Sequence, residues 1–294
     1  MQGFVLAAGF GTRLRPYSLK RPKPLFPILG KPILKVIFEQ LQSLSIKHIG
    51  INTFFLKDQV KHFVRSFKKH NPSLSITLFE ESELLGTGGG LWNARKFLGN
   101  DTTLIVNSDI LTNLCFKEFV HFHKTSKNLI TMLFVKGKNN NVLLSEDLTY
   151  VRAFRVRHPE AFTYGGIQII EPDALKYFFE EKDLIKIYTY FLEKGIKIGA
   201  FVPKKIYLKD IGTIESYLEV HKDLLTTDLR IPFCPKFSKK IVAKSPTLLS
   251  FAKVKGWIYA EKNLKVFRRC FLKNCVVWDG ARLIQRRYEN CIVT

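Results

Sequence analysis

The chain has 294 residues, is 46% apolar and carries a formal net charge of +22, which supports a full hydrophobic core and excludes a disordered or fibrous chain. No apolar run approaches the roughly 20 residues that cross a bilayer, and Met1 leads straight into an apolar strand with no basic leader, so a cytoplasmic protein without a membrane span is expected. The five cysteines, Cys115, Cys234, Cys270, Cys275 and Cys291, form no CxxC pair, which argues against a disulfide framework or zinc site and predicts reduced, structural thiols.

Strands are predicted at 2–7, 47–52, 74–79, 102–107 and 129–135, alternating with helices at 31–44, 56–69, 88–98 and 115–125. That alternation predicts a three-layer α/β unit with a mainly parallel sheet. Ligands in such sheets sit beyond the carboxyl ends of the strands, where "AAGFGTR" follows the first strand and "NSD" follows the fourth. From about 140 the texture is mixed: a strand at 164–170, a helix after Pro172, a strand at 197–202 and a last helix from Glu215 to about Leu225. Prolines 232, 235 and 246 then mark a linker, and short apolar runs such as "GWIYA" and "CFLKNCVVW" follow at close spacing, as in small parallel turns of a β-solenoid. The basic residues are spread along the chain without an RNA-binding signature, which favours solvated surface cations over a specific nucleic-acid partner.

The opening loop carries the chemistry. Gly9 and Gly11 remove side chains where a triphosphate lies close to backbone N–H groups, and Arg13 and Arg15 add delocalised charge. "GFGTRLRP" lacks the GK[ST] ending of a P-loop, and Leu14 stands at the third glycine position of GxGxxG. Pro22 and Pro24 flank Lys23 and restrict the direction of its ammonium group.

Taken together, "LAAGFGTRLRPYSLKRPKPLFPILGKPIL" resembles the signature of the sugar-phosphate nucleotidyltransferase family, whose members join a nucleoside triphosphate to a sugar 1-phosphate and release pyrophosphate. "EESELLGTGGGLWNA", "LIVNSDILTN" and "YLKDIGTIESYLEVHKDLL" resemble its later motifs, in order, so that residues 2–226 are covered. The tail resembles the degraded left-handed β-helix of many members. The fold implied is a Rossmann-like three-layer α/β nucleotidyltransferase domain with a mixed, mostly parallel sheet. It would span 1–228, with a linker at 229–247 and a short solenoid-like segment at 248–294.

The resemblance implies that Asp109 and Asp210 hold Mg²⁺, and that Arg13 and Lys23 contact the phosphates, with Arg13, Lys23 and Asp109 catalytic. It further implies nucleotide binding by Ala7, Ala8, Gly9, Gly11, Thr12, Arg13, Glu83, Gly86, Thr87 and Gly88. The same comparison implies sugar binding by Asn107, Tyr164, Gly165 and Gly166. Glu81 or Glu83 would accept from the edge of guanine, and mannose 1-phosphate with GTP is the favoured pair, uridylyl and thymidylyl versions staying open. The expected partners are the two substrates, with the tail packing on the main domain or forming a homodimer contact. One departure is visible: "FRVRHPEAFTYGG" lacks the Glu-Lys-Pro segment of many members, leaving Arg155, Arg157 or His158 as electrostatic substitutes. A non-catalytic regulatory relative of the same fold is the alternative, against which all of Arg13, Lys23, Asp109 and Asp210 stand.

Overall fold

The computed structural model describes residues 1–137 and 140–294. The chain forms two compact units that interleave in sequence, Met1–Phe10 with Ile37–Leu208, and Gly11–Val36 with Lys209–Thr294. Among the described residues no helix is long and apolar enough to cross a membrane.

The first unit is built on a seven-stranded sheet in the order Ile198–Phe201, Ile130–Val135, Thr163–Ile170, Thr103–Asn107, Gln2–Leu6, His48–Thr53, Ser75–Glu80. Thr163–Ile170 runs antiparallel to both neighbours, and the other pairs are parallel. The mixed, mostly parallel sheet expected from the alternating pattern is therefore present. Its strands are apolar on both faces because helices cover both sides. Helix Lys57–Lys69 shows how: Val60, Val64 and Phe67 are buried, while Asp58 in its first turn and Lys68 and Lys69 in its last complement the helix dipole. Phe4, in the sheet centre, is fully buried against the rings of Phe79 and Phe97.

Two predicted helices differ. The segment at 88–98 starts earlier, at Gly86, and is two helices, Gly86–Asn93 and Arg95–Leu98, broken at Ala94, whose ψ of 6° leaves the α region. The helix after Pro172 is a 3-10 turn, Pro172–Tyr177, and the α-helix comes later at Leu184–Glu193. Asp183 sets that later start, its carboxylate accepting from the Ile185 N–H at 3.0 Å as an N-cap.

The second unit contains three 3-10 turns, Thr12–Leu14, Tyr17–Leu19 and Lys23–Leu25. A hairpin of Pro27–Ile28 with Lys31–Pro32 follows. Helix Ile214–Thr226 begins with a capping box in which Thr213 and Ser216 bond each other's backbone. Beyond it lies the parallel solenoid: Ile241–Ala243 pairs with Ala252–Ala260, which pairs with Cys270–Val277, which pairs with Arg287–Glu289 and Ile292–Val293. Leu248, Ile258, Leu272, Cys275, Val277 and Leu283 fill its core. The stretch expected to be linker thus supplies the first rung of this sheet, and Pro246–Phe251 forms a short helix where only extended runs were expected. Pro246 at its first position suits a helix start.

Helix Ile214–Thr226 is the spine of this unit. Tyr217 donates to the Pro27 carbonyl at 2.5 Å and accepts from the Trp278 indole N–H at 2.9 Å. His221 accepts the Leu29 N–H at Nε2, and its Nδ1 meets the Tyr217 carbonyl at 2.9 Å. Burial pushes the His221 imidazole down to about 4, so both contacts fit the neutral ring.

Candidate active site

In the first unit the carboxyl ends of the strands gather the predicted residues along one edge. Leu6 pairs with Asn107 and with Asn52, so the chain leaves the sheet side by side at Ala7–Gly9 and Ser108–Asp109. The Ser108 N–H donates to the Leu6 carbonyl at 3.0 Å and ties the two exits together. Asp109 lies half-buried in the turn between Thr103–Asn107 and Ile110–Thr112. Thr163–Ile170 arrives antiparallel, placing Gly166 beside Asn107, where a Cβ would lie 3.0 Å from Asn107 Nδ2. A register shift between Tyr164 and Gln168 bends the strand there.

A polar relay absent from the predicted set fixes this edge. The Ala7 N–H donates to Asn52 Oδ1 at 2.7 Å, Asn52 Nδ2 donates to Glu81 Oε1 at 2.7 Å, and the Leu85 N–H donates to Glu81 Oε2 at 3.1 Å. Glu81 is thereby committed to the protein, not left open to a base edge. Burial holds its carboxyl above the usual carboxylate range, opposed by the Leu85 and Asn52 hydrogen bonds. The available sequence signal was Asn52 itself, a polar side chain closing the apolar run "IGINT". Glu83, by contrast, is exposed and 3.7 Å from Lys182.

The glycines divide into two kinds. In "GTGGG" they lie inside a helix, not in a loop before one. A Cβ on Gly88 would sit 2.4 Å from the Glu181 carbonyl, and one on Gly90 would sit 2.6 Å from Asn52 Nδ2. Packing demands these glycines. Gly9 is different: it is exposed, and a Cβ there would meet nothing within 4 Å. The packing around it therefore sets no demand for a glycine at this position.

Two polar atoms at this edge are buried without a hydrogen-bond partner among the described residues, Asn107 Oδ1 and Tyr164 Oη. An unsatisfied buried polar group costs about 1–3 kcal/mol; the Tyr164 ring packs with the core cluster that holds Tyr188, while Asn107 ends its strand beside Gly166. Arg155, a predicted substitute for the absent lysine, is instead engaged by Asp183 at the start of helix Leu184–Glu193. Arg157 and His158 are exposed.

The second unit holds the cationic part. Lys23 Nζ lies 3.4 Å from Asp210 Oδ1, and Arg13 Nη2 lies 3.6 Å from Asp210 Oδ2. The Lys23 side chain is only 12% exposed whereas Arg13 is 65% exposed, so the lysine is fixed and the guanidinium faces water. Gly11 turns the chain with φ of +62°, and a Cβ on it would crowd Ser18 Cβ at 3.3 Å and Lys23 Cβ at 3.5 Å. Thr12 is exposed at the start of the first 3-10 turn. Gly212 was not among the predicted residues, yet a Cβ there would stand 2.6 Å from both Asp210 Oδ1 and Arg13 Nη2. It keeps open the space that the two charges share.

The carboxylate distances bear on metal binding. Charge-assisted N–H···O contacts normally close to about 2.7–2.9 Å, so contacts of 3.4 and 3.6 Å leave Asp210 loosely held by its cations. Hard carboxylate oxygens in such a setting suit Mg²⁺, which needs few protein ligands. Among the described residues no three His, Cys, Asp or Glu side chains form a metal cluster.

The chain is similar to known proteins in sequence and in fold. Residues 2–142 match the family model described as nucleotidyl transferase. The probable mannose-1-phosphate guanylyltransferase 2 of Oryza sativa subsp. japonica is 26% identical, over 96% of this chain and 80% of that protein. The mannose-1-phosphate guanylyltransferase of Mycobacterium tuberculosis (strain ATCC 25618 / H37Rv) is 34% identical, over 75% of this chain and 64% of that protein. Among solved structures, HddC from Yersinia pseudotuberculosis superposes with a TM-score of 0.60 at 25% identity, over 76% of this chain and 98% of that one. With its glycine loop, its strand-end carboxylates and these likenesses, residues 2–142 of the chain form a domain of the nucleotidyl transferase family.

Proposed function

We propose that the protein is an enzyme that transfers a nucleotidyl group from a nucleoside triphosphate to a sugar 1-phosphate, releasing pyrophosphate, with GTP and mannose 1-phosphate as its substrates. The observation that carries the reading is the Arg13–Asp210–Lys23 cluster kept open by Gly212. The guanylyltransferase relatives favour this base and sugar.

A sugar 1-phosphate oxygen attacks the α-phosphorus in line, the bond from that phosphorus to the bridging oxygen breaks, and pyrophosphate leaves with the electron pair. The attacking phosphate is ionised at neutral pH, so no general base is needed and the protein works by positioning and charge. Arg13 and Lys23 face the charge that grows on the α- and leaving phosphates. Ala7, Ala8, Gly9, Gly11 and Thr12 bring backbone against the triphosphate, and Gly86, Thr87 and Gly88 border the base. Asn107 offers its unpartnered oxygen to sugar hydroxyls, beside Gly165 and Gly166. Asp109 and Asp210 would hold Mg²⁺, which neutralises phosphate charge when bound. Catalysis is assigned to residues 1–228 of a cytoplasmic protein, with the solenoid that begins at Ile241–Ala243 as an appended segment.

The test is pyrophosphate release by purified protein over four nucleoside triphosphates and a panel of sugar 1-phosphates. The expected result is release with GTP and mannose 1-phosphate above all other pairs. Release with another pair would replace the substrates, and silence across the panel from folded protein would overturn the reaction.

A further inference from the structure

Four exposed apolar side chains of the solenoid gather at one corner. Leu249, Phe251, Phe267 and Ile284 are between 44 and 55% exposed. Leu249–Phe251 immediately precede Ala252, whose pairing partner is Cys270, and Phe267–Arg269 immediately precede Cys270. Ile284–Arg286 likewise precede Arg287, the partner of Phe271, and follow Leu283, the partner of Val266. The three segments are therefore the same corner of successive coils, stacked. Tyr288 Oη accepts from the Ile284 and Gln285 N–H groups, both at 2.8 Å, which fixes the third corner in place.

The charges beside this ridge are of one sign. Arg268, Arg269 and Arg286 are exposed, and among the described residues no carboxylate pairs with them. The Arg282 guanidinium lies over the Phe267 ring at 5.2 Å. Residues 229–294 hold fifteen Lys and Arg against three Asp and Glu, over half of the net charge of the chain.

We propose that this corner docks on the surface of an anionic lipid bilayer. Apolar side chains on a turn insert at the boundary of head groups and acyl chains while the flanking arginines meet lipid phosphates, the arrangement that gives reversible interfacial binding. A second copy fits poorly, because it would set arginine against arginine. Single-stranded nucleic acid rewards flat π-faces for stacking, and Leu249 and Ile284 have none. A peptide needs a groove, and a coil corner projects outward.

The test is co-flotation of the full chain with vesicles of phosphatidylcholine alone and of phosphatidylcholine mixed with phosphatidylglycerol. Binding is expected to the mixed vesicles only and to weaken with salt. The double variant F267S/I284S should reduce it by about tenfold or more, and R268S/R269S by about fivefold per arginine. Pyrophosphate release and thermal stability should be unchanged in both. Equal binding to both vesicles, binding to neither, or binding unaffected by F267S/I284S would overturn the proposal. So would a dimer or an oligonucleotide complex of the wild type that F267S/I284S dissolves.

Discussion

At the scale of single residues, the most exacting position is a glycine. Gly212 stands where a single methyl would enter between Asp210 and Arg13, and a displacement of about 1 Å in such a cluster can cost a hundredfold in rate. Gly212→Ala should therefore lower kcat by about tenfold to a hundredfold, with the thermal midpoint little changed. Steady-state kinetics beside a melting curve checks this, and an active variant would show that the Asp210–Arg13 spacing is not critical. His221 gives a pH signature of another kind. Its folded pKa, about 4, lies below the unfolded 6.5, so the unfolded state binds more protons between these values. The stability that this ring contributes is complete above pH 6.5 and is lost as pH falls toward 4, by about 2 kcal/mol on reaching pH 5. Denaturant titrations at pH 7 and 5 should show the loss, and His221→Gln should flatten it. Arg13 and Lys23 stand out in the sequence because a glycine- and proline-bounded basic loop is a local pattern. Asn52 and Gly212 do not, since their value lies in what stands next to them in space.

Among the elements, helix Gly86–Asn93 shows why a glycine run is ambiguous in a sequence. The same letters serve a loop that admits a ligand or a helix pressed against a neighbouring backbone, and here Gly88 abuts Glu181 while its own N–H donates to the Lys182 carbonyl at 3.0 Å. Gly88→Ala should cost about 1–3 kcal/mol of stability through overpacking, measured as a lower denaturant midpoint. A neutral result would mean that the 181–184 segment yields easily. The strands were read to within one or two residues because an apolar run bounded by polar residues is a local property. The 3-10 turn after Pro172 and the helix break at Ala94 escaped because each depends on packing that no window of sequence contains. The rung Ile241–Ala243 escaped because a chain of prolines and lysines hides one short strand that only its partner, Ile258–Ala260, makes regular.

For the molecule as a whole, the tail is part of the unit that carries the cationic loop. Tyr17 donates to the Ile292 carbonyl at 2.9 Å, Arg21 lies over the Trp278 ring at 4.6 Å, and Phe26 packs edge-on against that ring at 4.9 Å. The segment with Arg13 and Lys23 is thus braced by the solenoid, a dependence that lies outside any reading of the opening motif alone. Trp278→Ala should cost about 3 kcal/mol or more and lower kcat even well below its melting point. A chain ending near Leu225 should fare worse, and full activity from such a truncation would remove the bracing role. The central claim is tested most directly by nucleotidyl transfer itself, with α-labelled GTP, mannose 1-phosphate and Mg²⁺ given to the wild type, Asp109→Asn and Asp210→Asn. The expected result is label in a sugar nucleotide, one pyrophosphate released for each, and a loss of about a hundredfold to a thousandfold in both folded variants. Undiminished transfer by either variant would contradict its assigned role, and absence of transfer by the wild type would contradict the account.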